Sequence, residues 1–173
     1  VADASGDTPY GCYARQLAGH CYAILGKYSV ASTKFQAAFC AQSATTEIQI
    51  DILSWVNDLQ SFYRESGLVT SGNNIEHEIQ MLPLFPYARA LGYELTKDPA
   101  TGESVVTRGD YRWVVTPGDR PLPVRGTLYK NMVVEQATDG TFRVSPSLIA
   151  MLLVERYGND MAEELSFMLT KAE

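Results

Sequence analysis

Residues 8–39 read TPYGCYARQLAGHCYAILGKYSVASTKFQAAF, and the way this run folds decides the architecture of the chain. Thr8 before Pro9 is a helix start. A threonine hydroxyl can accept from the free N–H groups of a first turn, and proline suits the first helical position. Apolar or small side chains then recur at Tyr10, Ala14, Leu17, Cys21, Ile24, Tyr28, Ala31, Phe35 and Ala38. The steps alternate four and three, the spacing of a heptad seam. The phase slips near residues 42–45, and a second row follows at Ile48, Ile52, Val56, Leu59 and Tyr63. Such a slip marks a stutter or a break between helices. Gly67 followed by Leu68 supplies a stop, and no proline intervenes between Pro9 and Pro83. Residues 1–67 therefore read as an N-terminal helical segment. It is either one helix of about 58 residues, ~85 Å long at 1.5 Å per residue, or two or three shorter ones. Ser29 to Thr33 is a second candidate break, and two helices are the expectation.

Within that segment, residues 35–46, FQAAFCAQSATT, carry no charge and are dominated by small side chains. A helix of this composition is poorly suited to bulk water and lets a neighbour approach closely. That neighbour is either another helix of the same domain or a second subunit. On the second alternative Phe35, Ala38, Phe39, Ile48, Ile52, Val56 and Leu59 are the candidate subunit-contact residues.

Beyond Gly67 the pattern changes. Residues 68–92 read as a loop, Ser71-Gly72-Asn73-Asn74, then a short helix IEHEIQML ended by Pro83, then a helix YARAL opened by Pro86 and closed by Gly92. Residues 93–144 form a β-region of about five mostly antiparallel strands. YELT and SVVT flank the turn residues of DPATGE, and YRWVV is a third strand. TLYKNMVVE and TFRVS pair across Asp139-Gly140, a strong hairpin signal. The intervening TPGDRPLPVRG, residues 116–126, holds three prolines and reads as a loop, either an ordinary connection between two strands or a partly stiffened arm presenting Arg120 and Arg125 to an acidic surface on a neighbour. Residues 145–173 form a C-terminal helix begun by Ser145-Pro146 and kinked or re-capped at Gly158-Asn159-Asp160, with an apolar stripe through Met161, Leu165 and Met168. The fold class expected is α+β: a single domain, 1–173, in which a long N-terminal helical segment and a C-terminal helix flank a small, mostly antiparallel β-region.

Composition removes several classes of function. Hydrophobic residues at 46% and charged ones at 20% fit a folded chain. A net charge of −6 gives a phosphate backbone or an anionic membrane no general attraction, so nucleic acid is not an expected partner. The five basic residues of Arg108 to Lys130, set against Asp110 and Asp119, read as a solvated β-surface. The longest apolar run, Leu148 to Val154, is far below the roughly 18 residues of a membrane span. Cys12, Cys21 and Cys40 match no CxxC spacing and read as small buried hydrophobes, with an intermolecular disulfide as the rarer alternative.

Chemistry-bearing motifs are missing. The chain contains no HExxH, GxSxG, GxGxxG or P-loop pattern, so no cofactor, metal or catalytic residue is assigned. His77 lies between Glu76 and Glu78, but neighbours on a helix point apart and need a partner from elsewhere. His20 beside Cys21 lacks converging ligands on one helix. Glu155, Asp160, Glu163 and Glu164 read as a solvent face. Arg108-Gly109-Asp110 matches an adhesion tripeptide but is also ordinary turn composition. Tyr111, Trp113 and Tyr129 read as aromatic packing across adjacent strands.

The expected function is a non-enzymatic structural or assembly subunit. It would associate through its helices with copies of itself or other subunits of a particle, filament or complex, for example in a virion or secretion apparatus. A small enzyme with a scattered acid–base site and an adaptor or immunity-type binding module are the alternatives.

Overall fold

Thr8 and Pro9 start the first helix in the computed structural model, which describes residues 8–66 and 81–172. The Thr8 hydroxyl accepts from the Gly11 N–H at 3.0 Å. Helix α1 (Pro9–Ile24) then ends on a signal that the heptad reading passed over. Gly26 adopts φ +75°, the Gly26 N–H donates to Ala23 O at 3.1 Å and the Lys27 N–H to Tyr22 O at 2.9 Å. This is the paired closure of a left-handed glycine cap, which turns the chain and satisfies two carbonyls at once. Helix α2 (Tyr28–Phe39) follows, and Ser29 to Thr33, a candidate break, lies inside it. The Thr33 hydroxyl donates back to Ser29 O at 3.0 Å, so the helix absorbs this polar stretch. Helix α3 (Thr46–Ser66) begins where Thr45 Oγ1 accepts from the Ile48 N–H at 3.3 Å. The helical segment is therefore three helices, not two. Residues 40–45 of the uncharged run form the second connection. The Gly67 stop, the Ser71–Asn74 loop, nearly all of the IEHEIQML helix and His77 fall outside the described residues.

The chain divides into two units, Val1–Met81 and Leu82–Glu173. In the first, the inward face of α1 is made of Gly11, Cys12, Gln16, Gly19 and Ala23. All but Gln16 are small, and they let α1 and α2 come together. A Cβ built on Gly19 would stand 2.6 Å from the Phe35 ring, and the Cys12 thiol donates to Ala38 O at 3.1 Å. Phe35, Ala38, Phe39, Ile52, Leu53 and Val56 fill the space between the helices.

The second unit is built around two antiparallel sheets and a buried helix. Strands β2 (Glu94–Lys97), β3 (Ser104–Arg108) and β4 (Tyr111–Val114) form a three-stranded meander. Its first hairpin closes on DPATGE as expected, and its second turns at Gly109, φ +57°. Short strand β1 (Leu82–Pro83) leads into helix α4 (Leu84–Ala90) and edges the other sheet, ordered β1-β7-β6-β5. In that sheet β6 (Thr127–Gln136) and β7 (Phe142–Val144) pair across the Asp139-Gly140 turn, and Asp139 accepts from the Thr141 N–H at 2.9 Å. Helix α5 (Pro146–Tyr157) has every residue from Leu148 to Val154 buried. Ser145 does not cap it. Its hydroxyl accepts instead from the Val133 N–H of β6 at 3.1 Å, fastening the helix start to the sheet.

Two segments depart from the sequence reading. Residues 116–126 are not a loop: Gly118–Val124 is strand β5, paired with β6. The prolines are tolerated because β5 is an edge strand and Pro121 sits at a bulge, opposite both Lys130 and Asn131. The C-terminus does not continue as helix either. Gly158 at φ +110° ends α5, helix α6 (Asp160–Glu164) is short, and strand β8 (Thr170–Lys171) returns to pair with Tyr129 and Lys130 of β6. The fold is α+β: helices come first along the chain, then the strands of the antiparallel sheets, then a C-terminal helix.

Candidate helix-association face

At 3.6 residues per turn, Tyr10, Tyr13, Leu17, Cys21 and Ile24 fall within about 80° of the α1 surface and form a stripe about 21 Å long. This face lies opposite the small inward row. It is also open: Tyr10 is 70% exposed, Tyr13 52%, Leu17 42% and Ile24 75%, and Leu25 just beyond the helix is 69% exposed. Cys21 is exposed as well, against the expectation of a buried thiol, whereas Cys12 is buried and Cys40 half-buried. So α1 has two apolar faces of opposite kind, with small residues turned inward and large ones outward. Isolated exposed apolar residues are ordinary, but a contiguous stripe of this length is the mark of an interaction surface. Between Pro9 and Thr46 the chain carries Arg15, Lys27 and Lys34 and no acidic residue.

The heptad seam read through α1 and α2 as one row is thus divided by the Gly26 turn. Its first part, Tyr10 to Ile24, faces outward, and its second, Ala31, Phe35 and Ala38, is buried. Of the sequence-derived contact residues, Phe35, Ala38, Phe39, Ile52 and Val56 are buried among the helices of their own unit. Ile48 is half-buried, and the side chain of Leu59 lies outside the described residues. Arg120 is exposed on β5, beside Arg112 and Trp113 in an open groove of about 270 Å³. Arg125 is occupied within its own unit. Its guanidinium donates to Glu155 O at 3.0 Å and its Nε to Val154 O at 3.2 Å, at the C-terminus of α5.

Two polar clusters were not visible in the sequence. In the helical unit His20 stacks on Trp55, ring centroids 4.1 Å apart and planes at 17°, with Phe35 on a tilted approach at 5.4 Å. Its buried Nε2 is 3.3 Å from Asp51 Oδ2, close enough for charge attraction but without a well-formed hydrogen bond. Gln16 donates to the same carboxylate. Burial lowers the imidazole pKa, and the Asp51 charge only partly offsets it. The ring is half-buried between two aromatic side chains, where burial favours its neutral form. In the other unit the Tyr93 hydroxyl donates to the Glu155 carboxylate and lies 3.1 Å from Leu152 O. Burial and Glu155 raise its pKa, and the neighbouring Tyr111 is pushed up to about 12, also by burial. Arg108 Nη1 stands 4.0 Å from Glu155, so the Arg108-Gly109-Asp110 turn directs its arginine to the protein. Tyr111 packs edge-on against Tyr93, and Tyr129 lies in the other sheet, not on a strand adjacent to Trp113.

A second open groove, of about 440 Å³, is lined mainly by apolar residues including Phe85, Leu95 and Phe142. Neither groove is lined by a carboxylate, imidazole or thiol. Among the described residues no group of His, Cys, Asp and Glu could hold a metal ion, and no helix is long and apolar enough to cross a membrane. No family model matches the chain, and no curated protein or solved structure is detectably similar to it.

Proposed function

We propose that this chain is a non-enzymatic structural or assembly subunit that associates through its helices with copies of itself or with other subunits of a particle or filament. The observation that supports this reading is the outward stripe of α1. Large apolar side chains at helical spacing lie open to solvent, while the opposite, small-residue face already serves the core. Covering such a stripe removes apolar surface from water at about 25 cal/mol per Å², a gain that this helix does not realise within its own unit. The contact differs from the one the sequence suggested: Tyr10, Leu17 and Ile24 carry it, not the buried Phe35, Ala38 and Phe39.

The test is light scattering of the wild type and of a Leu17→Glu/Ile24→Glu variant over a roughly hundredfold concentration range. The wild type should gain mass with concentration. The variant should stay at the monomer mass with an unchanged circular dichroism spectrum, because both side chains are exposed. A wild type that remains monomeric throughout, or a variant that associates equally well, overturns the reading.

A further inference from the structure

The exposed row on α1 reads Tyr10, Tyr13, Leu17, Cys21, Ile24, with steps of three, four, four and three. This spacing is the same in both directions, with Leu17 at its centre. A two-fold axis beside Leu17 would set a second α1 antiparallel to the first, with Tyr10 level with Ile24 of the copy, Tyr13 with Cys21, and Leu17 with Leu17. We infer that α1 pairs antiparallel with α1 of a second copy, about a two-fold axis at Leu17.

Three features favour this occupant. A two-fold interface uses the same patch on both subunits, so the patch must be self-complementary, and the symmetric spacing meets that condition. The bulky aromatic end of each stripe falls on the aliphatic end of the other, so large and smaller side chains alternate along the seam. No charged residue lies in the row, so no like charges meet across the axis, and antiparallel helices oppose their dipoles favourably. From the exposures the stripe offers at most on the order of 500–600 Å² per copy, the low end of the range for specific interfaces, so the pairing should be weak and concentration-dependent. The pairing rests on the association proposed above and adds its partner, direction and register.

Disulfide trapping tests it in a Cys21→Ser background. Tyr10→Cys and Ile24→Cys variants are oxidised separately and as a mixture, then run on non-reducing gels. The mixture should give a linked dimer and neither variant alone should. In the antiparallel pair each of these positions lies about 20 Å from its own copy, against the 4.4–6.8 Å that a disulfide spans between Cα atoms. Self-linking of each variant alone would show a parallel pair, overturning this register while leaving association through α1 in place. Concentration-dependent mass without linkage in the mixture would overturn the α1 pairing. A wild type that is monomeric under the same conditions would overturn both. Circular dichroism of each variant establishes that it is folded.

Discussion

At the scale of single residues, the folded helical unit favours the neutral form of His20. The ring lies against Trp55, and burial holds its pKa below the ordinary value of 6.5 despite Asp51. In the unfolded chain the same imidazole titrates near its ordinary value. Between the two pKa values the unfolded chain binds a proton that the folded chain refuses. Stability is therefore full above about pH 6.5, falls as the pH drops through that value, and stops falling below the folded pKa. Denaturant midpoints measured from about pH 7.5 to 5 should decline for the wild type and decline less for His20→Gln. Equal slopes would mean that other groups set the pH dependence; His77, the remaining histidine, stays in both proteins. None of this was readable in advance. His20 and Asp51 are 31 positions apart on different helices, and no local pattern announces a stack formed only by tertiary packing.

The elements themselves were legible where local chemistry fixes them and illegible where a neighbour does. Thr8-Pro9, Asp139-Gly140 and the change of period at Tyr93 each act within a few residues, and each marks a boundary of the fold. Gly26 was equally local, but a heptad row running straight across it concealed a glycine cap. Strand β5 failed for a different reason. Its two prolines, Pro121 and Pro123, forbid a central strand, yet an edge strand with a bulge accommodates them, and edge position belongs to the sheet. Arg125 shows how the hairpin is fixed. It takes φ +47° and Gly126 takes +80°, the pair of positive angles of a two-residue hairpin turn, while its guanidinium binds the last carbonyls of α5. Arg125→Asn keeps a residue that tolerates this angle and loses the bonds to α5, so it should cost about 1–2 kcal/mol by chemical denaturation. Arg125→Val loses both and should cost more. If Asn is as stable as the wild type, the guanidinium bonds contribute nothing measurable.

For the whole molecule the question is where its unused apolar surface goes. The helix seam of the sequence runs straight across the Gly26 turn, and packing divides it into an exposed row before the turn and a buried row after it. A seam shows its period and not its direction, and only packing decides which row turns inward. Gly19 decided it here, because the Phe35 ring occupies the space that a Cβ would need. The small row is thereby committed to the core and the large row is left outside. Cys21, in the outward row, then reports on association in the unmodified protein. Cys12 is buried, and burial pushes the half-buried Cys40 thiol up to about 11, so both should react slowly with a thiol reagent while the chain is folded. Cys21 is exposed on the isolated chain and should react fast in dilute solution. If the α1 stripe is covered on association, its labelling rate should fall as protein concentration rises, in parallel with the rise in mass. Salt should not restore the rate, because the seam contains no ion pair for counterions to screen. A rate independent of concentration, with mass still rising, would place the contact away from α1. Recovery of the rate in high salt would show that charges, not the apolar stripe, hold the copies together.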